Sequence, residues 1–333
     1  MKTKIVYCLV SDNRDYYYEQ LLVSLHSLRL HNPQAKVEVV CDVDTYTTLN
    51  DNRRGIYNYD INVLSVDTPA DWSKMQRSRY LKTHLRTLTQ NDYLFIDTDT
   101  VICSSLGFID DIPYEIAAVK DSHVERPLPR RSQCRHETER WIWREAQKVG
   151  ADIEGLWQYN SGVMLVRDTP RAHELYERWA SHYQSQLQFG VKVDQLPLLL
   201  SNHEMDNVIS PLDPRLNCQV SFQEGRSAVA KAAIIHYFPS QNKTLLSSPW
   251  ILDPIKETGL ITAPLQRIIS QPAQFFAQLS QVATGDAARM LFTPPLLEAY
   301  QSCPKVFGLF VSALNAYLVA KKWLYGLYHH PNL

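Results

Sequence analysis

Asp97 and Asp99 stand one residue apart at the end of the apolar run Tyr93-Leu94-Phe95-Ile96. Alternate side chains of an extended strand share a face, so both carboxylates are expected to point the same way where the chain leaves a sheet. Like charges so placed are costly without a cation. The pair therefore reads as a metal site, or as a nucleophile with its acid partner.

Such a pair needs a sheet to hold it. Residues 5–10 form a continuous β-branched and aromatic run, a polar break follows at Ser11-Asp12-Asn13-Arg14-Asp15, and Leu21, Leu22, Leu25 and Leu28 then recur at helical spacing. Asn32-Pro33 closes that helix; residues 36–41 and 61–66 read as strands, and 73–90 as a basic helix leading into the strand before Asp97. Beyond it, residues 115–120, 161–166 and 232–238 read as strands and 138–148 and 170–188 as helices. This alternation predicts an α/β fold: a mixed, mainly parallel, Rossmann-like sheet covered by helices on both faces. Ligands of such sheets bind beyond the carboxyl ends of the strands, where the 11–15 loop and Asp97–Asp99 would meet. The first loop has no glycine fingerprint, so a GxGxxG dinucleotide site is not supported. From Pro249 onward prolines break the chain into short segments, which predicts a catalytic domain over 1–250 and a helical extension over 251–333.

The 333 residues, 45% of them apolar, suffice for a sizeable core, and a net charge of −1 with interspersed signs gives no field that would favour nucleic acid. The six cysteines are scattered without CxxC or zinc spacing and read as reduced thiols of a cytoplasmic protein. Lys2 and Lys4 precede an apolar run that is short and lacks a small-residue cleavage site, so it reads as a strand rather than a signal peptide.

Two reaction classes fit the acidic motif. The run Asp97-Thr98-Asp99-Thr100-Val101 matches the first motif of haloacid-dehalogenase-like phosphatases, with Asp97 as nucleophile. That reading expects the motif near the start of its domain and a paired acidic motif downstream; here three strands precede it, and Gly285-Asp286 stands alone. The other class is a metal-bound diphosphate site. Five segments in order support it: residues 5–16, 93–102, 117–127 (Ala-Ala-Val-Lys-Asp-Ser-His-Val-Glu-Arg-Pro), 159–166 (Tyr-Asn-Ser-Gly-Val-Met-Leu-Val) and 234–243 (Ile-Ile-His-Tyr-Phe-Pro-Ser-Gln-Asn-Lys). Together they resemble GT-A nucleotide-sugar glycosyltransferases of family 8.

The resemblance implies that Asp97, Asp99 and His236 bind a divalent cation, Mn²⁺ or alternatively Mg²⁺, bridging the phosphates of a UDP-sugar. Hard carboxylates with one imidazole suit that ion. It also implies that Ser11, Asp12 and Asn13 hydrogen-bond base and ribose, with Tyr16, Tyr17 and Tyr18 offering a ring to stack on the base, that Arg79 and Thr98 reach the donor, and that Asp121, Asn160 and Ser161 hold the sugar. Arg77 and Lys82 flank Arg79, so this assignment carries an ambiguity of one turn. Asp194-Gln195 resembles the pair beside the anomeric carbon, with Gln195 as the polar group of a retaining reaction or Asp194 as the base of an inverting one. Lys243 corresponds to the lysine that meets the diphosphate, although Phe238-Pro239, one extra residue before Lys243 and the displaced Pro249-Trp250 depart from the family pattern. The implied activity is hexosyl transfer from UDP to a glycan or lipid-linked sugar acceptor. A module that keeps the fold and binds nucleotide sugar without turnover is a third class.

In the tail, Phe307, Phe310, Val311, Leu314, Tyr317 and Leu318 recur at helical spacing, but 306–320 falls short of the roughly 20 residues a spanning helix needs. The expectation is a helix that lies on the inner face of the cell membrane, or packs on the catalytic domain or a second subunit.

Overall fold

The N-terminal apolar run forms strand β1 (Lys4–Leu9), and its two faces divide between two cores. Ile5, Tyr7 and Leu9 pack with Leu21, Leu22, Leu25 and Leu28 of helix α1 (Tyr17–His31), whereas Val6 packs with Leu81, Phe95 and Trp179 on the opposite face. Each fully buried leucine contributes roughly 2 kcal/mol, so α1 is fixed to the sheet by packing rather than by its uncapped N-terminus.

The computed structural model describes residues 1–220, 228–237 and 249–274 and, further on, 303, 305, 306, 308–314, 316, 317 and 320. In chain order, β2 (Val37–Asp42), helix α2 (Val43–Asn50) and β3 (Asn62–Val66) follow α1. Helices α3 (Lys74–Thr83) and α4 (Leu85–Leu88) then lead into β4 (Tyr93–Ile96) and β5 (Thr100–Ile102). The basic helix expected over 73–90 is thus two helices; His84, the C-cap of α3, marks the break. Next come β6 (Ile116–Lys120), α5 (Glu137–Lys148), β7 (Tyr159–Val166), α6 (Pro170–Gln186), α7 (Gln195–Glu204), β8 (Ser210–Pro211), β9 (Cys218–Gln219) and β10 (Ile234–His236).

The main sheet has the order β3-β2-β1-β4-β7-β6-β8. Its pairs β3/β2, β2/β1, β1/β4 and β6/β8 are parallel, and only β7 runs against its neighbours. The order turns back between β1 and β4, which opens a crevice at their carboxyl ends. A second, three-stranded sheet, β5-β10-β9, stands beside it.

The first compact unit runs Met1–Val282 and the second Ala283–Leu333. Ile251, Leu252, Ile255, Leu265 and Ile269 belong to the core that α1 shares with the strands, so the first unit continues past residue 250. In the second unit, described residues between 305 and 317 are helical and expose Val306, Leu309, Phe310, Leu314 and Tyr317. Among the described residues, no helix is long and apolar enough to cross a membrane.

Candidate active site

Asp97 and Asp99 do not occupy alternate positions of one strand. β4 ends at Ile96, and the two residues lie on the turn that carries the chain from the large sheet into the small one. The Asp97 N–H donates to the Gly162 carbonyl on β7 at 2.7 Å, and the Thr100 hydroxyl closes the turn on the Asp97 carbonyl at 2.9 Å. The carboxylates then diverge: Asp97 meets α3, and Asp99 meets β10. They nevertheless converge with the imidazole, since one ligand atom from each of Asp97, Asp99 and His236 lies within 4.8 Å of the others.

Whether this cluster suits a cation is decided by the proton on His236. The Gly162 N–H can only donate, and it donates to Asn160 Oδ1 at 3.0 Å, which fixes the orientation of that amide. Asn217 must therefore present Nδ2 to the same oxygen, at 2.9 Å, and turn its own Oδ1 to His236 Nδ1, at 3.0 Å. Nδ1 accordingly carries a proton, and Nε2 faces Asp99 Oδ1 at 3.1 Å. A neutral ring directs a lone pair at a carboxylate there, an arrangement that requires a shared proton or a shared cation. The donor set, two carboxylates and one imidazole held by an outer amide, fits a divalent ion of the Mn²⁺ type.

Gly162 is itself a requirement of this packing. A Cβ at that position would lie 2.2 Å from His236 Cε1, 2.8 Å from its Nδ1 and 2.9 Å from Asn160 Oδ1.

In the sequence Lys82 stood only as a flank of Arg79. Its ammonium is buried, 4% exposed, and bridges Asp97 (3.1 Å to Oδ1) and Asp194 (3.4 Å to Oδ2). Arg79, one turn earlier on α3, reaches the other Asp194 oxygen at 3.0 Å. The ambiguity of one turn resolves into two cations on one aspartate. A lysine three residues after an arginine on one helix, ahead of an acidic motif, is the signal that could have given it a role of its own.

Asp194 and Asp121 are both buried and contrast sharply. Burial alone would raise the Asp194 carboxyl, but Arg79, Lys82 and the Ser161 hydroxyl (2.9 Å) hold it well below the usual carboxylate range. So stabilised, and with both oxygens engaged, it is a poor proton acceptor. Asp121 follows β6, and among the described residues its side-chain hydrogen bonds come from neutral donors: Asn160 Nδ2 at 2.9 Å, Gln158 Nε2 at 3.2 Å, Ser122 Oγ at 3.3 Å and Gln195 Nε2 at 3.4 Å. Burial raises its carboxyl, and the hydrogen bonds only partly offset that. The structure thus gathers Asp121, Asn160 and Gln195 into one cluster, with Gln158 as a member the sequence did not reveal. Ser161 faces Asp194 instead.

At the first loop, Ser11 accepts from Arg53 at 3.0 Å and donates to Asp15 at 2.7 Å, Asp12 pairs with Lys74 at 3.0 Å, and Asn13 is exposed. Tyr16 is engaged elsewhere: its hydroxyl donates to Asp253 at 2.7 Å and Lys256 Nζ lies 4.6 Å above its ring, both from the helix Pro249–Thr258. Tyr18 is buried under Arg53, so Tyr17, 46% exposed, has the open ring of the three. Thr98 is buried between the two aspartates. Lys243 and the 238–239 departure lie outside the described residues.

A family model described as glycosyl transferase family 8 matches residues 8–244, well over half of the chain. No curated protein shows significant sequence similarity to it. Among solved structures, an active-site mutant of LgtC superposes with a TM-score of 0.50 at 17% identity, covering 81% of this chain and 100% of that one. LgtC, a galactosyltransferase, in complex with donor and acceptor sugar analogues gives 0.49 at 18% identity over 79% and 98% of the two chains. Mouse xyloside xylosyltransferase 1 gives 0.45 at 15% identity over 71% and 97%. The mixed, mainly parallel sheet is the one expected of a GT-A fold, and the phosphatase reading falls with the family match. The chain belongs to glycosyl transferase family 8 and is a glycosyltransferase of GT-A fold.

Proposed function

We propose that the protein transfers a hexose from UDP to a sugar acceptor with retention of configuration, using a divalent cation of the Mn²⁺ type held by Asp97, Asp99 and His236. The observation that carries this reading is a continuous line of side chains. From His236 it runs through Asn217 and Asn160 to Asp121, which Gln195 also contacts, so a cation site and a neutral polar pocket are built as one unit. A bound divalent ion there supplies Lewis-acid stabilisation of a diphosphate leaving group.

The chain's own residues perform the rest. Lys82 places a second positive charge beside Asp97, where negative charge on the diphosphate would gather. Asp121 and Asn160 take sugar hydroxyls, and Asp121 is suited to this because it is surrounded by amides rather than locked to a cation. Gln195 offers an amide oxygen to an oxocarbenium-like sugar, since its nitrogen faces Asp121. Asp194 orients Arg79 and Lys82, and its firmly ionised state disfavours the inverting alternative in which it acts as base. Tyr17 stacks on the base, and Lys243 is assigned to the diphosphate from the sequence pattern alone.

A glycan or lipid-linked sugar acceptor at the cytoplasmic membrane surface is supported by the exposed apolar residues Val306, Leu309 and Phe310 of the second unit; a homo-oligomer would cover the same face. Protein incubated with Mn²⁺ and a panel of UDP-sugars should slowly release UDP by hydrolysis, and faster once acceptor is added. Tight binding without UDP release toward any acceptor would favour the non-catalytic module, and release unaffected by chelator would remove the metal from the account.

A further inference from the structure

We propose that Gln219 is a positioning residue that sets the Asp121 carboxylate for the donor hexose by tying its turn to the strand that carries the cation-binding imidazole. The inference rests on the reading of Asp121 as a hydroxyl ligand. Asp121 sits at the head of an unusual turn: the next two residues, Ser122 (φ 55°, ψ 17°) and His123 (φ 55°), are both left-handed and neither is glycine. Left-handed backbone is unfavourable for residues with a Cβ, and two in succession persist only where the surroundings hold them.

Gln219 supplies that hold. Its side chain is fully buried, and both of its polar atoms are spent on the turn. Oε1 accepts from the Ser122 N–H at 2.8 Å, and Nε2 donates to the Lys120 carbonyl at 3.1 Å. Both partners are backbone groups, so the amide orientation is unambiguous. The Gln219 N–H donates in turn to His123 Nε2 at 3.0 Å. Asp121 is thus bracketed on either side by one amide.

The other end of the link is the cation site. In the β9/β10 ladder Gln219 stands opposite His236, and the Val220 N–H donates to the His236 carbonyl at 3.2 Å. Two residues before it, Asn217 holds His236 Nδ1. One continuous stretch, the end of the 3-10 turn Pro214–Asn217 and the strand β9 that follows it, thus grips the imidazole through Asn217 and the Asp121 turn through Gln219. The distance from the leaving phosphates to the sugar hydroxyls is in this way fixed by β9 rather than by the loop after β6.

The test separates sugar recognition from nucleotide binding. Titrations of UDP and of UDP-glucose or UDP-galactose in Mn²⁺ are compared for wild type, Gln219→Met and the double variant Ser122→Gly/Gln219→Met, with circular dichroism to confirm folding. Gln219→Met should bind UDP within about threefold of wild type, lose the affinity the sugar adds, and release UDP about 100-fold more slowly. Glycine adopts the left-handed turn without a holding partner, so Ser122→Gly should restore at least about fivefold of that rate in the Gln219→Met background. Should Gln219→Met not fold, Gln219→Glu, which still accepts from Ser122 but cannot donate to Lys120, carries the same comparison with a loss of about 10-fold. Unchanged UDP-sugar affinity and rate, or a parallel loss of UDP and UDP-sugar that Ser122→Gly does not relieve, overturns the role of Gln219. Wild-type protein that binds no UDP-sugar in Mn²⁺ overturns the parent reading instead.

Discussion

Two buried aspartates, Asp194 and Asp121, show how one residue type is turned to opposite ends. Asp194 is 4% exposed and Asp121 6%, so their desolvation is alike. Asp194 faces Arg79 and Lys82 and is driven to stay charged; Asp121 faces Asn160, Gln158 and Gln195 and is pushed toward the neutral form. The first is a structural counter-ion whose oxygens are spent. The second has its bonds in exchangeable, neutral partners, which suits a group that must trade hydrogen bonds with hydroxyls.

The comparison can be broken at several places. The largest effect is expected outside the pair, at Asp99. Asp99→Ala should weaken Mn²⁺-dependent UDP binding by at least about 100-fold, because it removes a ligand rather than an outer partner; calorimetry of UDP with and without EDTA reads it. Gly162→Ala should come close to that loss, about 10- to 100-fold in Mn²⁺ affinity, since its methyl must displace His236 or Asn160. Normal Mn²⁺ affinity in that variant would show that the imidazole position is not critical.

Asp121→Asn sharpens the contrast on the sugar side. UDP should bind as in wild type, whereas kcat/KM for UDP-sugar hydrolysis should fall by about 100-fold; equal losses for UDP and UDP-sugar would place Asp121 in the fold rather than at the donor. Asp194→Asn acts chiefly on stability, by about 3 kcal/mol at neutral pH, because it leaves two cations poorly compensated. Its native carboxyl is depressed, so wild-type Asp194 stabilises above the unfolded pKa of about 3.9 and that contribution is lost as pH falls through this range toward the native value. The raised carboxyl of Asp121 has the opposite sign: its contribution falls as pH rises from the unfolded value through the native one. Urea denaturation from pH 3 to 7 should therefore give a wild-type minus Asp194→Asn difference that grows with pH, and a wild-type minus Asp121→Asn difference that declines. Slopes of one sign would end the distinction between the two aspartates.

Much of this was legible beforehand because periodicity and residue type report on burial. The strands 5–10 and 93–96 and the leucines of α1 follow from local pattern, whereas the grouping of Asp97, Asp99 and His236 was implied by the family resemblance. What local pattern did not show has one cause, contacts made across long sequence separations. Nothing local reveals that Asp97–Asp99 bridges two sheets, that Lys82 turns inward to Asp194, or that Tyr16 is taken by Asp253 from 237 residues away. Gln158, Asn217 and Gln219 are ordinary amides in sequence, and acquire a role only once β7, β9 and β10 bring them beside Asp121 and His236.

The central claim is that Asp97, Asp99 and His236 jointly hold the cation on which UDP binding depends. Anomalous diffraction at the manganese edge, from crystals soaked with MnCl₂ and UDP, tests it most directly. The account predicts one strong peak within bonding distance of both carboxylates and His236 Nε2, in contact with the UDP phosphates and missing from Asp99→Ala crystals. UDP seated in the crevice with no peak there, or with the ion bound elsewhere, would contradict it.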